Sequence, residues 1–188
     1  ARLRAADWPS NSRMTIPTML ATAAATITIT TGSSADIAAG KGTQQEISVA
    51  AGSDGEISLQ DVASAINGGD YGVKASLISD KTGSVRLSLT GEDTGAASAF
   101  KIDVAATAGT ADPALSNLNF DPSGTSSNYA VNSAAQDSLM KLNGVEITRA
   151  TNTISDAVEG LTFTLKATTT DSNGLSTATS LTVARDSS

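Results

Sequence analysis

The chain has 188 residues, with 19 Asp and Glu against 12 Lys and Arg, a formal net charge of −7, and neither Cys nor His. Those absences remove Ser–His–Asp and Cys–His catalysis and the usual zinc and copper ligand sets. The acidic balance argues against nucleic acid or anionic membrane as a partner, since both require clustered Lys and Arg, and no apolar run approaches the ~20 residues of a membrane span.

Residues 1–20 carry Arg2, Arg4, Arg13, the single Trp8, Pro9 and Pro17 without periodicity. Trp8-Pro9-Ser10-Asn11 interrupts any apolar core of a signal peptide, so the stretch reads as a disordered linker or an expression scar. In Thr26–Thr30, Ile27 and Ile29 alternate with Thr. Ile47, Val49 and Ala51 alternate in Glu46–Ala51, with Gly32–Thr43 as a hairpin loop between. Within that loop, Gly40-Lys41-Gly42-Thr43 faintly resembles a phosphate loop. Ala35 stands where the spacing needs Gly, however, and Gly42 separates Lys41 from Thr43.

Ser58 opens the one strong helix. With Asp61 three residues on it makes a reciprocal capping pattern, and Leu59, Val62, Ala63 and Ile66 form an apolar stripe. Gly68-Gly69 is expected to end the helix in a left-handed conformation. Such a stripe needs a sheet to cover, and the candidates are Val73–Ile78 and Val85–Thr90, joined through Asp80-Lys81-Thr82-Gly83. Ala99–Val104 adds Phe100, Ile102 and Val104 on one face. Gly109–Ala135, with Pro113, Pro122, Gly124 and a Ser/Asn cluster, reads as a connector in which Ala114–Leu118 forms at most one helical turn.

A β-rich stretch follows. Ser138–Asn143 and Val145–Thr148 flank Asn143-Gly144, the pair best suited to a type I′ turn because both central residues need positive φ. Asp156–Gly160 makes a second reversal, Leu161–Thr168 alternates again, and Ser180–Ala184 is a last short strand. Asp171-Ser172-Asn173-Gly174 resembles the start of a calcium loop. It lacks the spacing and the terminal Glu, so a tight turn is the better account. The remaining carboxylates are scattered over turns and polar strand faces, the pattern of solvated surface. The residues thus assign no catalytic, cofactor-binding or metal site, and no cofactor.

Leu142–Leu165 also carries a longer pattern, in Asn143, Gly144, Val145, Ile147, Arg149, Asn152, Thr153, Ile154, Asp156, Ala157, Gly160, Leu161, Thr162 and Leu165. It closely resembles the signature of the type 2 hook-associated proteins, the caps of bacterial flagellar filaments. Upstream, Ser58–Asn67 followed by Gly72-Val73-Lys74-Ala75-Ser76 resembles a pattern shared by flagellins and caps. Together the two cover roughly residues 26–185.

The expected fold is mainly β with minor α, in two small antiparallel domains, the first with one helix on its sheet. The expected division is a linker at 1–20, an α+β outer domain at 21–112, a connector at 113–135 and an incomplete β-rich domain at 136–188. The resemblance implies a structural assembly protein, not an enzyme, located outside the cell at the distal filament tip and delivered by the flagellar export apparatus. Its implied partners are flagellin subunits and the filament tip. Self-association as a ring belongs to a full-length protein with coiled-coil legs, of which this chain reads as a monomeric piece, since neither end shows sustained heptads. An outer domain of a flagellin, or a surface adhesin or carbohydrate-binding β-module, stands as the alternative. The few aromatics give the sugar-binding version little to stack on.

Overall fold

The computed structural model describes residues 2–5 (backbone), 24–52, 57–79, 85–106, 113–124 and 129–167. Ser180–Ala184, the turns expected at 80–83 and 171–174, and most of the expected linker at 1–20 lie outside the described residues. The chain divides into two compact units, Ala1–Asp137 and Ser138–Ser188.

In the first unit, β1 (Arg2–Ala5), β2 (Ala25–Gly32), β3 (Thr43–Val49), β4 (Val73–Ser79), β5 (Val85–Gly91), β6 (Ala99–Ala106) and β7 (Tyr129–Ser133) form two antiparallel sheets. The order is β3-β2-β6 in one and β4-β5-β1-β7 in the other. The alternation along β2 buries Ala25, Ile27 and Ile29 and leaves Thr26 and Thr28 half-exposed, the mark of a strand with one face on a core. Ile27 pairs with Ile47 on β3 and Val104 on β6, so the apolar faces of three strands coincide. Val73 to Ser79 of β4 pairs in continuous register with Gly91 to Val85 of β5. Helix α2 (Leu59–Asn67) buries Val62, Ala63 and Ile66, and these join residues of both sheets in one core. Its N-terminus carries the capping box: Asp61 N–H donates to Ser58 Oγ at 3.2 Å, and Ser58 N–H donates to the Asp61 carboxylate at 2.8 Å.

Several expectations are corrected. The apolar strands do not build one sheet. β6 pairs with β2, away from β5, because alternation fixes a strand's buried face but not its neighbour. Ser34–Ala38 is a short helix, α1, capped by Ser33, where a plain hairpin loop was expected. Gly68 keeps a right-handed conformation (φ −74°), so no left-handed glycine ends α2. At Gly69 a Cβ would fall 2.5 Å from the tip of the Tyr71 ring, which would have to turn aside to admit it.

The expected linker includes Arg2–Ala5, whose backbone pairs as a strand with both β5 and β7. The expected connector belongs to the first unit. Leu115 of α3 (Pro113–Ser116) and, after it, Leu118 and Phe120 are buried in its core, and Phe120 exchanges two backbone hydrogen bonds with Ile102 of β6. Phe120 also packs between Phe100 and Tyr129, with ring centroids 5.5 and 5.8 Å away. The second compact unit begins at Ser138.

The second unit holds β8 (Ser138–Leu142), β9 (Val145–Arg149), β10 (Thr153–Val158) and β11 (Leu161–Thr164), paired as two hairpins. Here β10 is an addition: Asp156–Val158, expected within the second reversal, belong to this strand, and only Glu159-Gly160 turn the chain. The strand expected over Leu161–Thr168 ends at Thr164.

Candidate interaction surface

Asn143 and Gly144 stand at φ 50° and 86°, the positive pair of a type I′ turn, at the exposed tip of the β8–β9 hairpin. This turn sets the register, pairing Leu142 with Val145, Met140 with Ile147 and Ser138 with Arg149. Residues opposite one another share a face. One face of the hairpin is therefore apolar (Met140, Leu142, Val145, Ile147), and the other carries Leu139, Lys141, Glu146 and Thr148. The apolar face is only partly covered. Met140, Leu142 and Ile147 are half-buried and Val145 is 64 % exposed. On the opposite face Leu139 is 60 % exposed. This hairpin therefore leaves apolar surface on both faces open to solvent.

The rest of the pattern links the two hairpins of this unit. Arg149 Nε approaches both oxygens of Asp156, at 3.1 and 3.0 Å, and an Arg149 terminal nitrogen lies 2.9 Å from Asp156 Oδ2. This charge-assisted fork ties the end of β9 to β10. The Asp156 carboxyl is held below the ordinary carboxylate range by its hydrogen bond with Arg149, and the Arg149 guanidinium is correspondingly raised. Ser138 Oγ lies 2.9 Å from the Arg149 carbonyl and 2.7 Å from that of Thr151, and Leu165 N–H donates to the Asn152 carbonyl at 2.8 Å. Ile154 is the buried residue of the pattern, 1 % exposed and opposite Phe163. Gly160, at φ 76°, makes the second reversal. Asn143, Arg149, Asn152, Ile154, Asp156 and Gly160 are thus parts of one scaffold, with Val145 and Leu161 left exposed beside it.

The upstream pattern has its own physical basis, which the sequence reading missed. Asn67 Nδ2–H donates to the Ala75 carbonyl at 2.8 Å, and Ala75 N–H donates to Asn67 Oδ1 at 2.9 Å. The side-chain amide takes the place of a neighbouring strand's peptide at the outer edge of β4, which β5 leaves open. Asn67 and Ala75, both within that upstream pattern, are joined by this latch between helix end and strand edge. An eight-residue spacing between an amide and an alanine was the only signal for it.

Gly40-Lys41-Gly42-Thr43 follows α1 and enters β3. Gly42 sits where a Cβ would lie 2.5 Å from Thr30 Cγ2, so it serves close packing on β2. Among the described residues, no group of three or more acidic side chains is placed to hold a metal ion. What the site offers is shape, a half-covered apolar strip and a fixed ion pair, the equipment of a contact surface.

Residues 135–188 match the family model described as the flagellar hook-associated protein 2 C-terminus. The chain is 38% identical over 100 residues to flagellar hook-associated protein 2 of Escherichia coli O157:H7, covering 53% of this chain and 20% of that one. It is similar in structure to the D2-D3 domains of the flagellar cap protein FliD from Escherichia coli, with a TM-score of 0.69 and 30% identity, over 90% of this chain and 77% of that one. The corresponding Serratia marcescens domains give a TM-score of 0.68 at 26% identity, over 94% of this chain and 86% of that one. The chain spans between 20% and 27% of the length of the curated relatives it matches.

Proposed function

The chain belongs to the flagellar hook-associated protein 2 family, and from that premise we propose that it serves as a structural part of the flagellar cap at the distal end of the filament. Its work is steric and mechanical, with no covalent step. The two β-rich units present rigid surfaces under which newly exported flagellin folds and inserts. The partners are flagellin subunits and the filament tip, reached outside the cell through the flagellar export apparatus. Ring formation belongs to the whole protein, through contacts that include coiled-coil legs.

The observation that carries this reading is that the likeness to cap-protein domains extends through both units and takes in the Asn143–Leu165 scaffold. A strip of half-covered apolar residues on paired hairpins fits a protein that works by contact. Replacing the D2-D3 region of the Escherichia coli cap protein with this chain tests it. In cells lacking their own cap protein, the chimera should restore filament growth and localise to filament tips. A chimera that is exported and folded but leaves filaments absent would overturn the proposal.

A further inference from the structure

We infer that Asn143 is a site of spontaneous deamidation, an ageing switch at the hairpin tip, while the chemically identical Asn67-Gly68 pair is kept inert by the fold. The reaction needs only a flexible Asn-Gly bond and water. The Gly144 backbone nitrogen, on losing its proton, attacks Asn143 Cγ. A nitrogen–carbon bond forms, the side-chain carbon–nitrogen bond breaks and ammonia leaves with a proton from solvent. Water then opens the cyclic imide at either carbonyl, giving aspartate or isoaspartate.

Both Asn-Gly pairs are exposed, and what separates them is how their reacting groups are held. Asn143 and Gly144 are exposed at the end of a two-stranded hairpin, where local opening takes little free energy. Nothing lies within 4 Å of the position a Gly144 Cβ would occupy, so no other part of the chain packs on that side of the turn. The Asn67 amide is held at both ends by the Ala75 backbone, and the Gly68 N–H donates to the Ala65 carbonyl at 3.2 Å. Electrophile and nucleophile are both engaged there, and attack requires breaking the latch. Conversion at Asn143 adds a negative charge, and the isoaspartate product adds a backbone carbon inside a turn whose two-residue length sets the β8–β9 register. The contact surface beside Val145 therefore changes with age.

Peptide mapping of the whole chain tests this directly. Trypsin places Asn143 in Leu142–Arg149, Asn67 in Gly42–Lys74 and the third Asn-Gly pair, Asn173-Gly174, in Ala167–Arg185, so each is read separately by mass spectrometry. After incubation of folded chain at mildly alkaline pH, Leu142–Arg149 should contain aspartate and isoaspartate. Asn67 should convert more slowly by about thirtyfold, the factor expected from two ordinary hydrogen bonds. In urea the two rates should converge. Asn143 staying intact in folded chain while it converts in urea would overturn the switch. Equal rates at Asn67 and Asn143 in folded chain would overturn the protection.

Discussion

Asp61 brings a carboxylate into the first turn of α2, where the Ser58 side chain and then its backbone N–H hold its pKa below the ordinary value of 3.8. A carboxyl depressed in the folded state stabilises the fold above its unfolded pKa. That contribution is lost as pH falls through the lower, folded value. Ser58→Ala should therefore lower stability by about 1 kcal/mol near neutral pH. The deficit should shrink below about pH 4, where the carboxyl of the unfolded chain is already protonated. Urea denaturation at several pH values checks both size and sign. A deficit that grows with acid would contradict it. Tyr129 offers the opposite case. Burial pushes its phenol well above the usual range, and its hydroxyl is buried without a hydrogen-bond partner. Its ring still packs on Phe120. Tyr129→Phe keeps the ring and removes the orphan hydroxyl, so it should be neutral or stabilising by up to about 1 kcal/mol, as read from the denaturation midpoint.

Helix α2 is the element on which the first unit depends, since Val62 and Ile66 enter a core shared by both sheets. Val62→Asp should remove on the order of 3–5 kcal/mol, the scale of an uncompensated buried charge. Circular dichroism should then show loss of the first unit's structure; a variant with unchanged unfolding would refute the packing. Asn67→Ala tests the latch at the other end of the same helix, and about 1–2 kcal/mol should be lost for two bonds at a wet edge. These elements were legible in the sequence to the extent that their causes are local. The capping box, the apolar stripe and the Asn143-Gly144 turn each depend on residues a few positions apart, and all three appear where the letters place them. Sheet membership was not legible. Val85–Thr90 and Ala99–Val104 carry the same alternation, yet they enter different sheets, a choice made by long-range packing. Residues 113–124 were misread for a related reason. Proline, glycine and serine give them the look of a loop, while three spaced residues, Leu115, Leu118 and Phe120, anchor the segment to the core. In the contact surface, the turn was read correctly. The Arg149–Asp156 fork was not, because two residues seven apart meet only once β9 and β10 have formed.

At the scale of the molecule, the unit boundary at Asp137 and the surface of the second unit make separate predictions. Ala134–Asp137 has no strand or helix, whereas 113–124 is tied to β6, so an unspecific protease should cleave near 134–137 before it cleaves 113–124. Association is the harder question, because exposed apolar residues favour it and charge opposes it. Val145 and Leu139 are the most exposed large apolar residues of the described set, but register puts them on opposite faces of one hairpin. They cannot contribute to a single flat patch. Stable pairing generally requires about 1,200 Å² or more of well-packed interface, more than one side of a two-stranded hairpin supplies. Each chain also carries a net charge of −7, and the resulting repulsion is screened beyond about 8 Å at physiological salt. Repulsion therefore acts on approach, and the short-range attraction is too divided to hold a complex. The 188-residue chain should be monomeric at micromolar concentration, with weak association appearing first at high salt. Light scattering across a salt series decides this. A stable ring at low salt would mean that these β units themselves encode assembly, and Val145→Lys would then be the first variant to dissolve it.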